Sequence, residues 1–284
     1  MKKTWARNVI AITGGLAGTA LGAVAVGTLL WNRATARAVR ESLPDAPMGT
    51  AKFSPEELTG LPEPVVRYFN FALTPGQPLI RSARLEQEGE FRGGLDAPWS
   101  PFTAVQHFSA YPRAFVWDAS IRMAPLLTVR VRDSYIGGTG GMQARMAGVI
   151  PIMNQSDRPG LNAGALLRYL AESAWFPTAL LPAQGIVWEA IDGNTARATL
   201  TDSETTISLD FHFGLKGEIV RVYTPARFRE VNGEDVPTPW EGAFGDYERV
   251  EGVMVPKQGE VAWILPEGRL TYWRGRIRGV HFES

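Results

Sequence analysis

The sequence contains no cysteine, only three histidines, and fewer charged residues (20%) than the roughly 25% of an average globular protein. Without cysteine there can be no disulfide, no thiolate nucleophile, no zinc ribbon and no lipid-modified N-terminal cysteine. The histidines lie far apart, and neither an HExxH zinc motif nor a GxSxG nucleophile elbow is present. We therefore predict no metal site and no cofactor, and no motif identifies a catalytic residue.

Positive charge is concentrated at the N-terminus of an otherwise acidic chain. Residues 1–40 contain six cations and no acidic residue, so the rest of the chain has six more acidic than basic residues. Nucleic-acid binding requires a basic surface. We therefore expect no nucleic-acid partner.

One uncharged run, residues 9–31, lies close to the N-terminus. Its 23 residues, VIAITGGLAGTALGAVAVGTLLW, could cross the roughly 30 Å hydrocarbon layer as a helix. We predict a single-pass transmembrane anchor here, because the apolar core of a cleaved signal peptide is usually about 7–15 residues long. An A-x-A-like site at Ala23-Val24-Ala25 leaves cleavage as an alternative.

The cations around this run favour a cytoplasmic N-terminus, residues 1–8, with the soluble domain outside the cytoplasm. Trp31 would then lie at the membrane–water interface. Gly14, Gly18 and Gly22 share one helix face, where small residues let two helices approach closely. A homodimer through these glycines is one interpretation, and the ordinary abundance of small residues in single-span anchors is the other.

The rest of the chain divides into a juxtamembrane linker, residues 32–60, and a single β-rich domain, residues 61–284. A short amphipathic helix is expected over 61–73. From about residue 79 onward apolar and polar residues alternate with period two, which is typical of half-buried antiparallel strands. The glycines of GGTGG, at 137–141, fit a hairpin turn rather than a phosphate-binding loop, because a strand follows them.

A helical pattern interrupts the strands at about 161–176, and the stretch RYLAESAWFPTALLP continues it as an apolar run broken by two prolines. The sequence thus predicts a mainly β fold, with one large curved antiparallel sheet or open half-barrel. The segment 161–181 would cover the concave face of that sheet, and the N-terminal transmembrane helix would precede it.

Strand parity indicates which side chains line the concave face. Apolar candidates for contact with a ligand are Phe115, Trp117, Val129, Tyr135, Trp175 and Phe176. Asp133 has the same parity as Val129, and a buried carboxylate needs a cation or several hydrogen-bond donors. Arg168, or one of the arginines at 227, 229, 274, 276 and 278, could supply that cation. Glu172 follows Arg168 by one helical turn. Asp133 and Arg168 could anchor a ligand headgroup, or they could form a purely structural pair.

Two polar surfaces are expected on the opposite face. Asp118 alternates with the core residues and should form a solvated pair with Arg122. Tyr272 is expected to share the outer face of the last strand with three arginines, Arg274, Arg276 and Arg278, because three stacked arginines cannot all be buried. The opposite face of that strand would carry Trp273 and Ile277.

Several sequence blocks resemble a bacterial family of uncharacterised, membrane-anchored proteins with a domain of unknown function. The blocks are LPEPVVRYF (61–69), WSPFTAVQHF (99–108), FVWDASIRM (115–123), VRDSYIGGTGGM (131–142), LLRYLAESAWFPTALLP (166–182) and YWRGRI (272–277). The resemblance covers about residues 60–282 and implies no catalytic residue. The expected architecture is also similar to the periplasmic lipoprotein-carrier fold, in which a curved half-barrel holds acyl chains and a helix plugs its mouth.

These features favour a membrane-tethered envelope protein that binds a lipid or another apolar ligand in its curved sheet. The first alternative is a non-catalytic interaction or scaffold protein whose core is simply filled. A second is a hydrolase with Asp133 or Glu172 as the base, which would need a pKa shifted toward the operating pH.

Overall fold

The computed structural model describes the backbone of residues 2–43, 50–94, 96–125 and 127–284, and the side chains of these ranges from residue 22 onward. Within them, thirteen strands form a single antiparallel sheet that stays open rather than closing into a barrel. The predicted mainly β fold with a curved open sheet is therefore confirmed. The predicted cytoplasmic segment 1–8 lies outside the residues whose side chains are described.

The first six strands form a meander in which each strand pairs with the next. They are β1 (Ser82–Phe91), β2 (Ser100–Ser109), β3 (Ala114–Ala124), β4 (Leu127–Ile136), β5 (Thr139–Met146) and β6 (Ile150–Ser156). Gly137 and Gly138 connect β4 to β5 with φ values of 58° and 82°. Two consecutive positive φ values are the geometry of a tight hairpin turn, which glycine adopts without strain.

A helical connection follows the first meander. Helix α3 (Pro159–Glu172) leads into the 3-10 segment, which consists of three short turns, Ser173–Trp175, Pro177–Leu180 and Pro182–Gln184. A proline begins each of the last two turns, because its fixed φ suits the first position of a helix and prevents continuation of the preceding one. The predicted helical segment is thus confirmed on the concave face.

The last seven strands form a second meander. They are β7 (Ile186–Asp192), β8 (Thr195–Asp202), β9 (Thr205–Phe213), β10 (Ile219–Val231), β11 (Glu234–Val250), β12 (Val253–Leu265) and β13 (Gly268–Glu283). The first strand pairs with the last, so that the sheet order is β6-β5-β4-β3-β2-β1-β13-β12-β11-β10-β9-β8-β7. Strands β6 and β7, which are neighbours in sequence, therefore form opposite edges of the sheet.

Two further helices precede the sheet. Helix α2 (Glu63–Ala72) buries Val65, Tyr68 and Phe69 in the core, as its amphipathic pattern predicts. Of the predicted linker 32–60, the first part continues helix α1 (Lys2–Ser42), and Phe53 is buried against the domain. A domain boundary at residue 61 stays a prediction.

The C-terminal half of α1 packs on the outer face of β2, β3 and β4. Among the described residues, no helix is both long and apolar enough to cross a membrane. Much of the predicted anchor, and with it Gly14 and Gly18 of the predicted dimer face, lies outside the described side chains. Gly22 is exposed and has no neighbour within 4 Å of an added Cβ atom.

Trp31, which was predicted at a membrane interface, is buried against the sheet, with 2% of its surface exposed. Its Nε1 donates to Asp118 Oδ1 at 2.8 Å, and Arg130 and Arg132 lie over its ring. The predicted partner of Asp118 was wrong, because Asp118 pairs with Arg130 at 2.8 Å instead of with Arg122. The helix supplies the ring that encloses this ion pair, which strand parity alone does not reveal.

Candidate functional site

Five of the predicted ligand-binding residues are buried in the hydrophobic core. At most 5% of the surface is exposed in each of Phe115, Trp117, Tyr135, Trp175 and Phe176. The 3-10 segment covers this part of the concave face, where the ring of Phe176 packs on that of Phe108 with centroids 4.6 Å apart. This half of the concave face is therefore filled by the chain itself.

Hydrogen bonds from side chains to the main chain hold the 3-10 segment in place. Trp175 Nε1 donates to the carbonyl of Pro256 at 3.1 Å, and the amide of Ile80 donates to Thr178 Oγ1 at 3.0 Å. Trp188 Nε1 donates to the carbonyl of Leu180 at 3.0 Å. The segment has no ladder of sheet hydrogen bonds, so its position depends on these contacts and on apolar packing.

Arg168 joins the two predicted carboxylates at the border of the filled half. Its Nη1 lies 2.8 Å from Asp133 Oδ2, and its Nε lies 2.9 Å from Glu172 Oε1. The three side chains are only 15–17% exposed. The guanidinium also lies over the rings of Phe115 and Trp117, at 5.0 and 5.1 Å from their centroids. The predicted contact between Asp133 and Arg168 is present.

Neutral polar groups complete this cluster. Gln106 Nε2 donates to Glu172 Oε2 at 2.7 Å, Gln87 Nε2 donates to Gln106 Oε1 at 2.8 Å, and Trp117 Nε1 donates to Gln87 Oε1 at 2.8 Å. Sequence analysis missed both glutamines, although each has the parity of the inner face on its strand. A polar residue at such a position needs a buried partner, which was the available signal.

Burial raises the pKa of both carboxyl groups, and the charges of Arg168 and Arg227 oppose that rise. Asp133 retains one buried oxygen, Oδ1, that accepts no hydrogen bond from the described residues. The cluster therefore has a free acceptor at the border between the filled and the open part of the concave face.

A cation lies between the two carboxylates that a hydrolase would use. Arg168 bonds to both Asp133 and Glu172. Close like charges raise a pKa most when no cation separates them. The geometry gives no support to either residue as a general base. Among the described residues, no three histidine, aspartate or glutamate side chains are grouped so that they could hold a metal ion.

Arg227, on β10, is the second arginine of the concave face, and its polar partners are all neutral. Its guanidinium lies 4.7 Å from the ring centroid of Trp240 and 5.6 Å from that of Trp263. It donates weakly to Tyr272 Oη at 3.4 Å and to the carbonyl of Gly164 at 3.3 Å. No carboxylate of the described residues forms an ion pair with it within 4.0 Å.

Next to Arg227 is a group of partly exposed apolar side chains, which we call the aromatic floor. Its members are Phe91, Val131, Val261, Trp263, Tyr272 and Trp273. Trp263 and Tyr272 stack with centroids 6.0 Å apart, and Phe91 meets Tyr272 edge-on at 6.5 Å. Val129 is also partly buried and lies farther along β4. Each of these side chains keeps part of its surface exposed, so this part of the concave face is not fully covered.

Tyr272 was predicted on the outer face, and this was wrong. A register shift between β12 and β13 leaves Tyr272 as the extra residue of a β-bulge, between the pairs Val261–Trp273 and Ala262–Thr271. A bulge lets two consecutive side chains face the same side. The hydroxyl of Tyr272 therefore accepts a hydrogen bond from Trp240 Nε1 at 2.9 Å inside the sheet.

The three arginines that were predicted beside Tyr272 are on the outer face, as predicted. Arg274 pairs with Glu90 at 2.6 Å and Arg276 with Asp246 at 2.5 Å, while Arg278 pairs with Glu88. Two clefts of about 930 and 450 Å³ lie along this outer face. Their lining includes charged side chains such as Glu88, so neither cleft is the apolar cavity expected on the concave side.

Comparison with solved structures finds distant likenesses of fold. A LolA-superfamily protein from Nitrosomonas europaea is 9% identical, with a TM-score of 0.37 over 78% of this chain and 92% of that one. A DUF1329-family protein from Desulfovibrio piger is 11% identical, with a TM-score of 0.39 over 78% and 90%. A protein described as a putative outer membrane lipoprotein-sorting domain, from Vibrio parahaemolyticus, is 8% identical, with a TM-score of 0.40 over 81% and 92%. Likeness at this level identifies no ligand.

Family membership follows from sequence alone. Among curated proteins, no sequence matches this chain. A family model does match, over residues 59–282, which is almost the range that the sequence blocks indicated. The chain belongs to the DUF6920 family, a family of unknown function.

Proposed function

We propose that this protein is a membrane-tethered envelope protein that binds an anionic amphiphile on the concave face of its sheet. The apolar part of the ligand lies on the aromatic floor, and its head lies at Arg227. The observation behind this proposal is a set of partly exposed aromatic side chains beside an arginine without a carboxylate partner. Ligand sites typically combine an apolar concave lining with a few polar groups that fix orientation.

The surroundings of Arg227 favour a ligand with an anionic head. A guanidinium has five N–H donors, and here two weak hydrogen bonds and two aromatic rings are its described partners. The rings hold the guanidinium in place without neutralising its charge. A carboxylate or phosphate would accept the free donors in a charge-assisted pair.

The uncharged run 9–31 supports a membrane tether, because it is long enough to span a bilayer. Lys2, Lys3 and Arg7 precede it and Arg33, Arg37 and Arg40 follow it, and we propose that the domain lies outside the cytoplasm. A domain held beside a bilayer has direct access to amphiphiles.

A second candidate function is that of an interaction protein with a filled core. The complete burial of Tyr135 and Phe176 favours it, since these residues were expected to line the ligand cavity. On this view the aromatic floor is only the edge of the core, and no amphiphile binds there.

Quenching of tryptophan fluorescence by 11-bromoundecanoate distinguishes the two functions. The full chain is placed in nanodiscs of unlabelled phosphatidylcholine, and the bromo acid is added below its micellar concentration. We expect saturable quenching, because bromine quenches only the indoles that it contacts. Trp263→Phe should remove part of this quenching. The matched variant Trp99→Phe should not, because the ring of Trp99 lies between Arg92 and Arg274 on the opposite face.

The variant Arg227→Met tests the proposed contact between Arg227 and the anionic head of the ligand. Charge-assisted hydrogen bonds contribute about 1.5–3 kcal/mol, so we expect the affinity for 11-bromoundecanoate to fall about tenfold or more. Arg197→Met is the control, since Arg197 is 46% exposed and pairs with Asp210 at a distance from the site. Absence of saturable quenching in the unmodified chain would favour the interaction protein. Equal quenching in Trp263→Phe would place the ligand elsewhere.

A further inference from the structure

One end of the sheet has an unusually apolar surface. The β3–β4 and β5–β6 turns lie side by side there, since the amide of Ala147 donates to the carbonyl of Thr128 at 2.8 Å. No charged residue occurs in 123–129 or in 146–156. The exposed large hydrophobic side chains of these stretches are Met123 at 53%, Val149 at 37%, Ile150 at 58%, Ile152 at 52% and Met153 at 37%. We call this surface the apolar end.

Helix α1 runs directly alongside the apolar end. A Cβ atom on Gly27 would lie 2.7 Å from the carbonyl oxygen of Gly148, so helix and turn are in close contact. The side chains that α1 exposes at this level are apolar too. They are Val24 at 39%, Val26 at 57%, Leu29 at 50% and Leu30 at 53%. Helix and turns therefore form one continuous apolar surface.

The surface of α1 changes character at Trp31. Before it, the exposed described side chains belong to the uncharged run, whereas after it they include Asn32, Arg33 and Arg37. Gly27, which contacts the β5–β6 turn, is about 6 Å before Trp31 along the helix axis, at 1.5 Å per residue. The apolar turns are thus level with the apolar part of the helix and not with its polar part.

We propose that the apolar end inserts into the bilayer leaflet that surrounds the C-terminal part of the uncharged run of α1. This inference rests on the proposed membrane tether and adds a second contact, through the sheet itself. Soluble monomers rarely expose apolar patches of this extent. Arg122 and Arg145 directly precede the two apolar stretches in the sequence, where they can meet anionic headgroups at about 1 kcal/mol each.

The apolar end adjoins the aromatic floor through a series of apolar neighbours. Val129 on β4 pairs with Met146 on β5, at the apolar end, and with Ile121 on β3. Ile121 in turn pairs with Phe102, whose ring stacks on Trp273 of the aromatic floor at 5.7 Å. Apolar side chains therefore connect the bilayer contact to the proposed ligand site, and Ile121 and Phe102 between them are buried in the core.

Site-specific labelling tests the contact, because a chain without cysteine accepts one label at a chosen position. Ile150→Cys in the full chain is labelled with the environment-sensitive fluorophore NBD. The protein is reconstituted into vesicles of phosphatidylethanolamine and phosphatidylglycerol. We expect blue-shifted emission that doxyl-labelled phospholipids quench. Val187→Cys is the matched control, since Val187 is 59% exposed on the edge strand β7, and it should give an aqueous spectrum without quenching.

Retention of the protein on vesicles after carbonate extraction is measured in parallel. An aqueous spectrum at Ile150→Cys in retained protein would overturn the second contact and leave the tether intact. Loss of the protein on extraction would overturn the tether, and the inference with it. A blue shift that depends on protein concentration but resists doxyl lipids would identify a second copy of the chain as the occupant, and would also overturn the inference.

Discussion

Arg168 illustrates how much a single buried charge determines in this molecule. Its guanidinium bonds to Asp133 and Glu172, and the three side chains are 15–17% exposed. A buried ion pair contributes little net stability when complete, but removing one partner leaves an uncompensated charge. Here one arginine pairs with two carboxylates, so its loss leaves two buried carboxylates without that cation.

Arg168→Met should therefore lower the free energy of unfolding at pH 7 by about 3–5 kcal/mol. Urea denaturation followed by circular dichroism measures this. The control Arg197→Met removes a partly exposed pair on the outer face and should cost less than about 1 kcal/mol. A similar cost for the two variants would mean that water reaches the Arg168 cluster and screens its charges.

The pH dependence of this loss has a definite sign. Burial raises the pKa of Asp133 and Glu172 in the folded state, and the charge of Arg168 opposes that rise. Removing Arg168 raises both pKa values further, so the folded variant binds more protons than the unfolded chain over a wider range. Its stability then falls as pH rises through that range. The difference from the unmodified protein should be largest at pH 7 and shrink toward pH 4, and a difference independent of pH would contradict this.

Individual side chains could be predicted only where strand parity was sufficient. Parity placed Asp133 on the inner face, where it meets Arg168. It failed at Tyr272, because one extra residue in a bulge reverses the face of its neighbours along the strand, and no local signal in YWRGRI indicates a bulge. It also failed for Asp118, because the cation that pairs with it is Arg130 on the neighbouring strand, and Trp31, 87 residues away, donates to the same carboxylate.

Helix α1 is attached to the outside of the sheet by Trp31, by hydrogen bonds to Asn32 and Thr35, and by the close approach of Gly27. Its described half lies on the outer face of the sheet, with the indole of Trp31 buried between Asp118, Arg130 and Arg132. Because the helix lies outside the core, its attachment and the folding of the sheet are separable. Composition predicted the helix, but it could not indicate that one face of it packs on protein.

Trp31→Ala should detach residues 22–42 without unfolding the domain. Hydrogen exchange measured by mass spectrometry should show faster exchange in this part of α1 and unchanged protection of β3, because the helix loses its buried anchor. Trypsin should cleave more rapidly at Arg33 and Arg37. Leu30→Ala is the control, since Leu30 is 53% exposed. Loss of protection in β3 as well would mean that α1 is part of the folding core.

The strands and α3 were predictable because alternation and helical spacing are local patterns. The 3-10 segment was predictable only as an apolar run with prolines, since its path follows from contacts such as that of Trp175 with Pro256. The lining of the proposed site was only partly predictable for the same reason. Five of the six apolar residues expected to form it are covered, and the proposed site uses Trp263 and Arg227 instead.

On the scale of the whole molecule, the sheet consists of two meanders joined by the pairing of β1 with β13. The sequence predicted a long meander with an inserted helix, but not this central pairing, which joins the two ends of the domain and has no local signal. Helix α3 then bridges the meanders across the concave face. The amide of Gly140 donates to Asn162 Oδ1 at 2.8 Å on one side, and Arg227 donates to the carbonyl of Gly164 on the other.

If α3 holds the two meanders at a fixed separation, displacing it should change the distance between the edge strands. Two spin labels, at Asn154→Cys on β6 and Glu189→Cys on β7, report this distance by pulsed electron resonance, again without competing cysteines. Gly140→Val introduces a Cβ atom 2.7 Å from the carbonyl oxygen of Leu161 and should push α3 away. We expect a longer and broader distance distribution.

The control for this experiment is Gly193→Val, because no atom lies within 4 Å of a Cβ at Gly193. It should leave the distribution unchanged. An unchanged distribution in Gly140→Val as well would mean that the bulges and twist of the sheet set its curvature without help from α3. In that case the width of the concave face is a property of the strands, and ligand entry at the aromatic floor need not move α3. A change confined to Gly140→Val would instead make α3 the element whose displacement opens the concave face.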